Sequence, residues 1–457
     1  MKKILLLALT LALASLASEA KACTGITLQT TTNHPVTART IEWAAKPLNL
    51  MYVIVPRGHQ HKSFLPDNTT KGMRYSSKFG YVGIAVEDKN YVMEGINELG
   101  LAAGLFYFPD YGEYMPFDPN QKDVTISDMQ FVSWVLASFS SIDELVEQLD
   151  GIRVVGVDPR ASTVHWRVTE PSGRQVVIEI MNEHINIHEN PLGVLTNSPS
   201  LDWHLSNLNN YINLKPGTIA THNLGEKALS SFSGGTGMLG LPGDMSSPSR
   251  FVRAAFLQTT APNFSDSRQT VIHAFHLMNH FDIPIGLQFS DTTQIPDMHS
   301  ATQVTIVTDI MNGRLYYRTM YDSKIRCIYL SDIDFDEVTC QYEPLDFIAE
   351  EAIEYIEGYS YINGRQTVPF ENNFMDRKTI VEQFDKLFSS LSKFKYWMLS
   401  YNSRSKPAKD ELLSIISKYA SSVEVYEMPY AYKVTGKEKK NKDVEYLFIA
   451  RSKSYGK

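Results

Sequence analysis

Five short runs of the chain are either apolar throughout or alternate apolar with polar residues, and they are rich in β-branched side chains. Alternation is typical of a strand with one buried face, and a continuous apolar run is typical of a strand buried on both faces. We therefore predict a packed pair of sheets. The runs are Leu50–Pro56, Gly80–Val86, Val164–Thr169, Val176–Ile180 and Val304–Thr308.

Three other segments repeat their apolar residues at helical spacing. Ile126–Ala137 and Gln269–Phe281 each place apolar side chains on one face of a helix. Ser141–Leu149 begins with Ser141 and Glu144 at the spacing of a capping box, which satisfies free backbone N–H groups at a helix start. Strands and helices together predict a mixed fold of the α+β class.

The first 22 residues predict a cleavable signal peptide. Lys2 and Lys3 precede an apolar run, Ile4–Ala17, and Ala20-Lys21-Ala22 offers small residues at the two positions that a signal peptidase reads. The apolar run is short for a transmembrane helix, and no later segment is apolar enough to cross a bilayer. We expect an exported protein, periplasmic or secreted, without a membrane span.

The composition is that of a globular protein. The 457 residues are 43% hydrophobic and 21% charged, and the length fits two or three domains. A net charge of −8 gives no basis for non-specific binding of nucleic acid by the whole chain.

There are only three cysteines, so the chain is not a disulfide scaffold, although Cys327 and Cys340 could pair. Cys23 stands alone, directly after the cleavage point. A lipoprotein would have this thiol acylated, but Ala20 and Lys21 replace the Leu and the small residue usual before such a cysteine. An inert, buried Cys23 in a first strand is a second reading. In the third, cleavage gives Cys23 both a thiol and a free α-amino group, which is a nucleophile and a base on one residue.

Motifs around and beyond Cys23 decide between these readings. Together and in order, they resemble the choloylglycine hydrolase family, which contains bile salt hydrolases and penicillin V acylases, over about residues 23–345. The matching motifs are Cys23-Thr24-Gly25-Ile26-Thr27-Leu28, Ala38-Arg39-Thr40-Ile41-Glu42-Trp43, Asn97-Glu98-Leu99-Gly100-Leu101, Gly193–Pro199 with Asp202-Trp203-His204, Gly234–Gly237, Leu241-Pro242-Gly243-Asp244 and Ser249-Arg250-Phe251.

The resemblance implies a four-layer αββα N-terminal-nucleophile hydrolase that cleaves linear amides and uses no cofactor. Its nucleophile is Cys23, and Arg39 lies against the thiol, where a cation favours the thiolate. Glu42 stands where the family has an acidic residue, usually Asp, that contacts the free amino group. Asn197 matches an oxyanion-hole amide, and Arg250 matches a second active-site arginine.

Two aromatic positions bear on the substrate. Tyr107 falls where bile salt hydrolases often have Asn and penicillin V acylases often have Tyr, and its backbone N–H is expected to be the second oxyanion donor. Trp43 is expected to form an aromatic wall for a flat acyl group or for a steroid. The expected substrate is a glycine- or taurine-conjugated bile salt, with penicillin V as the alternative. The resemblance also implies a homo-oligomer, a tetramer in the family.

Several other features are weaker signals. His273, His276 and His280 share a helical face, but no carboxylate stands at the spacing of a zinc site, so we predict no metal there. Gly234–Gly237 lacks the Lys-Ser/Thr that follows the glycines of a phosphate-binding loop. His204 is expected to be structural.

The last part of the chain, 346–457, departs from this family. From about Tyr359 to Ser452 it resembles the C-terminal piece of a Dam-type DNA adenine methyltransferase. It lacks the Asp-Pro-Pro-Tyr box and the glycine-rich cofactor loop, so we predict a fragment without methylation or DNA binding, joined by gene fusion. The matching segments are Phe394–Arg404, a helix at Lys409–Tyr419, strands at Val423–Tyr426 and Tyr446–Ile449, and a basic turn at Lys433–Lys437 with Lys439, Lys440 and Lys442. Without the rest of a methyltransferase sheet, its apolar residues are expected to pack poorly.

Overall fold

The computed structural model describes residues 21–44, 46–66, 71–157, 162–287, 298, 300–346, 380–392, 394–403, 405–430 and 443–453. These residues fall in two compact units, one within 1–347 and the other within 348–457. The predicted signal peptide lies outside the described residues, apart from Lys21 and Ala22. No helix in the described ranges is long and apolar enough to cross a membrane.

The first unit contains most of the strands. They are β1 (Lys21–Gln29), β2 (Pro35–Trp43), β3 (Leu50–Val55), β4 (Gln60–Phe64), β5 (Lys71–Ser76), β6 (Tyr81–Val86), β7 (Val92–Asn97), β8 (Ala102–Tyr107), β9 (Thr125–Ser127), β10 (Arg153–Val155), β11 (Val164–Thr169), β12 (Gln175–Met181), β13 (His184–Glu189), β14 (His222–Leu224), β15 (Lys227–Leu229), β16 (Thr302–Asp309), β17 (Arg314–Thr319), β18 (Arg326–Tyr329) and β19 (Gln341–Pro344).

The α-helices of this unit cover the sheets. They are α1 (Phe131–Ser138), α2 (Ile142–Leu149), α3 (Leu201–Asn207), α4 (Ser247–Thr260) and α5 (Ser267–Met278).

Two antiparallel sheets form the centre of the first unit. The smaller has the strand order β1-β2-β16-β17-β18, and the larger has the order β13-β12-β11-β8-β7-β6-β3-β19. Short two-stranded pairs, β4 with β5, β9 with β10 and β14 with β15, lie outside them.

Three apolar cores separate four layers. One core lies between the two sheets and includes Ile41 and Ile306 from the smaller sheet with Val82 and Ile96 from the larger. A second core packs α4 and α5 on the outer face of the smaller sheet. A third packs α1 and α2 on the larger sheet. The αββα architecture predicted from the sequence is therefore confirmed.

The five predicted strands are present as β3, β6, β11, β12 and β16, with ends shifted by up to two residues. The predicted helix Ile126–Ala137 is wrong in its first half. Residues 125–127 form β9, residues 128–130 form a 3₁₀ turn, and α1 begins only at Phe131. The Ser127 side chain accepts a hydrogen bond from the N–H of Met129, a local bond that competes with the helix.

The other two predicted helices are α2 and α5. Ser141 caps α2 by accepting a 3.2 Å hydrogen bond from the N–H of Glu144. The Glu144 carboxylate, however, accepts from the N–H of Ser140 and not from that of Ser141, so only one half of the capping box forms. The segment Gln269–Phe281 is α5 up to Met278, followed by a 3₁₀ turn over 279–281.

The second unit is a small α/β fold. It contains α6 (Ile380–Leu391), β20 (Tyr396–Asn402), α7 (Lys409–Tyr419), β21 (Ala420–Tyr430) and β22 (Asp443–Ser452), with the antiparallel order β20-β22-β21. The predicted helix Lys409–Tyr419 is confirmed, and both predicted strands are longer than expected. The predicted basic turn at 433–442 lies outside the described residues.

The expectation that this unit packs poorly is wrong for one face of its sheet. Phe388, Leu412, Ile416 and Phe448 are fully buried in a core between the sheet and its two helices. Other side chains are exposed because no helix or strand among the described residues of this unit covers them, and they include Tyr396, Met398, Tyr426 and Met428.

Candidate active site

Strands β1 and β2 place Cys23 and Arg39 on one face of the smaller sheet. Arg39 is paired with Gly25, and Cys23 with Ile41, in the antiparallel register. Because side chains two residues apart share a face, Cys23, Gly25 and Arg39 point to the same side. The Arg39 guanidinium thus lies on the same side of the hairpin as the thiol. The sixteen-residue spacing in the sequence is therefore the spacing of a β-hairpin.

The Arg39 guanidinium is held on several sides. Its Nη2 lies 2.9 Å from the sulfur of Cys23, while its Nη1 donates to the carbonyl oxygens of Met93, at 3.0 Å, and Leu105. The guanidinium carbon lies 4.0 Å from the ring centre of Phe106, at a distance typical of a cation–π contact. Arg39 is fully buried and Cys23 is 4% exposed. The sequence-based placement of Arg39 beside the thiol is thus reproduced.

Asn197 joins three parts of the site. Its Oδ1 accepts hydrogen bonds from the N–H of Cys23 at 2.9 Å and from Nη2 of Arg250 at 2.6 Å. Two donors face this oxygen, which fixes the orientation of the amide. Its Nδ2 donates to the carbonyl oxygen of Tyr107 at 2.7 Å, so one of the two amide hydrogens is already used.

The loop that carries Asn197 is fastened by side chains from two helices. Its N–H donates to Oγ of Ser247 in α4 at 3.0 Å, and its carbonyl oxygen lies 2.9 Å from Nε2 of His204 in α3. Burial lowers the pKa of His204 to about 4, so the ring is neutral and donates from Nε2 to this oxygen. His204 is thus structural, as the sequence predicted, and it supports the backbone of Asn197.

Arg250, near the start of α4, holds the beginning of β1. Its Nη1 donates to the carbonyl oxygen of Cys23 and, at 2.7 Å, to Oγ1 of Thr24. Its Nε donates to the carbonyl oxygen of Met245. Arg250 therefore contacts the backbone of Cys23 and not its thiol.

Glu42 lies opposite Ala22 in the β1–β2 register. Its Oε1 accepts from Oγ1 of Thr302 at 3.2 Å, and among the described residues its buried Oε2 has no hydrogen-bond partner. Burial raises the pKa of Glu42 to about 7, against the opposing effect of Arg250. The expected contact between Glu42 and the Cys23 nitrogen is not formed, because that nitrogen is bonded to Ala22 in this chain and its one hydrogen goes to Asn197.

The thiol itself is subject to opposing influences. Burial raises the pKa of Cys23 above its ordinary value and outweighs the other influences. Arg39 lowers this pKa most, and the Tyr107 backbone N–H, which donates to the sulfur, and Arg250 lower it further, while Glu42 raises it. The sequence predicted the effect of Arg39 but not the larger effect of burial.

An apolar cleft opens beside Cys23. Trp43 and Tyr107, both singled out in the sequence, lie on its wall, and an ion pair between Lys46 and Glu87 at 2.9 Å stands among the lining residues. The other lining residues are Ile41, Glu42, Leu48, Val86, Tyr91, Met93, Leu105, Met129 and Val164. The wall next to the sulfur is therefore largely apolar, around a cavity of about 80 Å³.

Two buried charged residues that the sequence motifs did not indicate lie behind Arg39, namely Glu94 in β7 and Arg167 in β11. Each has a residue without a polar side chain directly on either side, as in Met93-Glu94-Gly95 and Trp166-Arg167-Val168. That pattern is a usable signal, because an ionised side chain is seldom fully buried unless it is paired.

The remaining sequence features do not join the site. All three cysteines are free, so Cys327 and Cys340 are not paired. Within the described ranges, no group of three or more His, Cys, Asp or Glu side chains is arranged to hold a metal ion.

Comparison with known proteins places this geometry in a family. Residues 23–341 match the family model of linear amide C–N hydrolases, choloylglycine hydrolase family. The chain is 30% identical over 320 residues to a bile salt hydrolase/transferase of Clostridium perfringens, covering 69% of this chain and 94% of that protein. It is 31% identical over 331 residues to the corresponding protein of Lactiplantibacillus plantarum, covering 71% and 97%.

Solved structures agree. A crystal structure of a variant conjugated bile acid hydrolase from Clostridium perfringens superimposes with a TM-score of 0.61 at 28% identity, covering 71% of this chain and 97% of that one. Penicillin V acylase from Agrobacterium tumefaciens shares the fold, with a TM-score of 0.56 at 22% identity and coverages of 71% and 91%.

The chain has a second, partial relative. Over 94 residues it is 47% identical to a type II methyltransferase of Haemophilus parahaemolyticus, and the match covers 21% of this chain and 28% of that protein. This match is consistent with the methyltransferase resemblance expected from the sequence. The family model, by contrast, spans about 70% of the chain and includes every residue of the site just described. The chain belongs to the choloylglycine hydrolase family of linear amide C–N hydrolases.

Proposed function

We propose that cleavage after Ala22 frees Cys23 as an N-terminal nucleophile, and that the enzyme hydrolyses the amide bond of glycine- or taurine-conjugated bile salts. The observation that carries the proposal is the position of the Cys23 sulfur, 2.9 Å from Nη2 of Arg39 and bonded by the Tyr107 N–H at the end of an apolar cleft. Both donors favour a thiolate over a thiol.

In this mechanism the α-amino group of Cys23 takes the thiol proton, since a free α-amine has a pKa of about 7.7–8.0 and is partly neutral near pH 7. The thiolate attacks the amide carbonyl and forms a tetrahedral intermediate. The intermediate collapses to a thioester as the α-ammonium gives its proton to the leaving amine. Water, deprotonated by the same amine, then attacks the thioester; the C–S bond breaks, the acid is released, and the α-ammonium returns its proton to the departing Cys23 sulfur.

The neighbouring residues have separate roles in this proposal. The N–H of Tyr107 and the second Nδ2 hydrogen of Asn197 stabilise the developing oxyanion. Glu42 accepts from the α-ammonium, which supplies a partner for its buried, unpaired Oε2. Arg250 fixes the Cys23 carbonyl, so that the new N-terminus keeps its place.

The substrate class follows from the relatives and the cleft. The relatives named above carry bile salt hydrolase names. The cleft presents Trp43, Leu105 and Met129, a largely apolar wall suited to a steroid face. Penicillin V is the alternative substrate, and Tyr107 is the residue that favours it.

We also propose the remaining organisation from the sequence. Residues 1–22 form a signal peptide that exports the protein to the periplasm or beyond, 23–345 form the catalytic domain, and 346–457 form a non-catalytic fragment. The enzyme is a homo-oligomer. The competing lipoprotein proposal, in which an acylated Cys23 anchors a protein that binds but does not cleave, predicts a larger mass for the mature N-terminus.

One experiment tests these proposals together. The secreted protein is purified, its N-terminal mass is measured, and product release is followed with glycocholate, taurocholate and penicillin V. We expect an unmodified N-terminal Cys23, turnover fastest on bile salts, and no turnover by Cys23→Ala. Cys340→Ala is the matched control and should keep full activity, since Cys340 lies outside the cleft. An acylated Cys23, or amide hydrolysis by Cys23→Ala, would contradict the mechanism. Faster turnover of penicillin V than of bile salts would identify penicillin V as the preferred substrate.

A further inference from the structure

A buried chain of three charged side chains runs from the thiol into the space between the two sheets. Nη1 of Arg39 lies 3.4 Å from one carboxylate oxygen of Glu94, and Nη2 of Arg167 lies 3.4 Å from the other. The three side chains are 0%, 3% and 1% exposed. Arg39 comes from the smaller sheet, whereas Glu94 and Arg167 come from the larger one. The chain therefore links the two sheets directly behind Cys23.

Two glycines make room for these charges. Gly104 pairs with Glu94 across β7 and β8, and a Cβ atom at Gly104 would lie 1.9 Å from Oε2 of Glu94. A Cβ atom at Gly25 would lie 2.9 Å from Nη1 of Arg167 and 2.8 Å from the Phe106 ring. Neither glycine has a positive φ, so their backbones do not require glycine. The space that they leave is filled by Glu94 and Arg167.

This arrangement divides the guanidinium of Arg39 between two tasks. Nη1 is bound by Glu94 and by the two backbone carbonyls, and Nη2 is left for the sulfur. A planar guanidinium that is fixed along one edge has its other edge fixed too. Arg39 and Arg167 share one carboxylate, so the three side chains carry one excess positive charge. An anionic sulfur at Cys23 balances that charge.

We propose that Glu94 is a positioning residue, which together with Arg167 holds Nη2 of Arg39 against the sulfur of Cys23 and reserves one positive charge for the thiolate. The inference rests on the proposed function of Cys23 as the nucleophile. Glu94 acts through Arg39, since Glu94 has no direct contact with the thiol among the described residues. The charged groups around the thiol are Arg39, Glu42 and Arg250, with Glu94 and Arg167 behind Arg39, and the processed protein adds the α-amino group of Cys23 itself, which all the variants share.

The test measures the reactivity of Cys23 directly. Alkylation of processed protein by iodoacetamide is followed from pH 5 to 10 by mass spectrometry of the Cys23 peptide, which separates it from Cys327 and Cys340. In Glu94→Gln the two arginines repel without a carboxylate between them, and Arg39 moves from the sulfur. We expect the midpoint of alkylation to rise by about one pH unit, a typical effect of losing an opposite charge beside a titrating group. Turnover number should fall about tenfold with KM nearly unchanged, because the lost effect concerns the reacting thiol.

A double variant separates positioning from general destabilisation. Glu94→Gln with Arg167→Met removes the repulsion as well as the carboxylate that holds Nη1 of Arg39, so its midpoint should return only part of the way to the wild-type value; full recovery would show that Glu94 merely neutralises Arg167 and would overturn the positioning role. Glu98 lies in the same β7–β8 hairpin and forms an ion pair with exposed Arg57. The Glu98→Gln variant is therefore the matched control and should leave the midpoint of alkylation unchanged. An unchanged midpoint in Glu94→Gln would overturn the proposal. A lower midpoint would also overturn it, because Glu94 would then act on the thiol by its own negative charge.

A glycine variant keeps the proposal testable if Glu94→Gln folds poorly. Gly104→Ala pushes the carboxylate aside without changing any charge, and should raise the midpoint in the same direction. Gly243→Ala, where a Cβ atom meets nothing within 4 Å, is its control. Wild-type behaviour of a folded Gly104→Ala would contradict the inference. These measurements report on the Cys23 thiol without turnover, so failure of the proposed function, seen as activity in Cys23→Ala, is a separate result.

Discussion

The backbone N–H of Cys23 donates a 2.9 Å hydrogen bond to Oδ1 of Asn197, 174 residues further along the chain. The same oxygen also accepts a hydrogen bond from Nη2 of Arg250. The side-chain nitrogen of Asn197 donates a hydrogen bond to the carbonyl oxygen of Tyr107. Asn197 is therefore the residue at which β1, β8 and α4 meet around the thiol.

Asn197→Ala should lower the turnover number by roughly 10²–10³, as removal of an oxyanion donor does, with a small change in KM. Steady-state kinetics on the preferred conjugate measure both. Asn186→Ala, in β13 and away from the cleft, is the control and should behave as wild type. A change confined to KM would assign Asn197 to substrate binding.

Because the pKa of Glu42 is raised, we expect the stability of the uncleaved chain to depend on pH. Burial raises its pKa from 4.5 to about 7. Folding thus favours the protonated carboxyl group, so the stabilisation is complete below pH 4.5 and is lost as the pH rises through 7. The free energy of unfolding, measured by urea denaturation, should fall over this range by about 3 kcal/mol from this group. Glu42→Gln should remove that part of the slope, and equal slopes in the two proteins would contradict the assignment.

Asp128 supplies the control for this pH experiment. Burial raises its pKa to about 7 as well, but in the core around Trp166 and Tyr114. Asp128→Asn should reduce the change of the free energy of unfolding with pH equally in the cleaved and the uncleaved chain. The Glu42 contribution should shrink on cleavage, because a new α-ammonium beside the carboxylate lowers its pKa.

The second unit should be dispensable for catalysis. The site contacts described above lie between Ala22 and Thr302. Asp346 binds Arg326 at 2.8 Å and Leu345 donates to Leu50, so the shortened chain should end at residue 347. We expect unchanged kcat/KM and a higher soluble yield, because exposed apolar residues and open strand edges favour association. A chain ending at residue 340 lacks β19 and should be less stable. Loss of activity in a folded chain ending at 347 would show that the second unit supports the enzyme.

The run Gly80–Val86 predicted its strand because a short, wholly apolar segment is typical of a strand buried on both faces, whereas the αββα layering was implied by the resemblance to the choloylglycine hydrolase family. The same resemblance implied Arg39, whose distance from Cys23 is set by one hairpin. The start of α1 was missed because Ser127 and Asp128 form local hydrogen bonds that apolar periodicity does not register. Glu94 was missed because it meets Arg39, 55 residues away in the chain, only when the two sheets stack, and Arg167 was missed because it meets Glu94 within the larger sheet at a separation of 73 residues. Periodicity predicts which face a residue occupies but not its partner across a core.

The burial of Ala22 bears on the order of cleavage and folding. Ala22 is fully buried, paired with Glu42, and packed against Ala44, Ile283 and Ala301. A peptidase needs an extended, accessible substrate, so the cleavage proposed between Ala22 and Cys23 would have to precede the pairing of β1 with β2. A chain that folds before cleavage would keep Ala22 bonded to the nitrogen of Cys23, so its nucleophile would have no free α-amino group. In this proposal, the rate of cleavage relative to the rate of β1–β2 pairing decides whether a given copy becomes an active enzyme or stays inert.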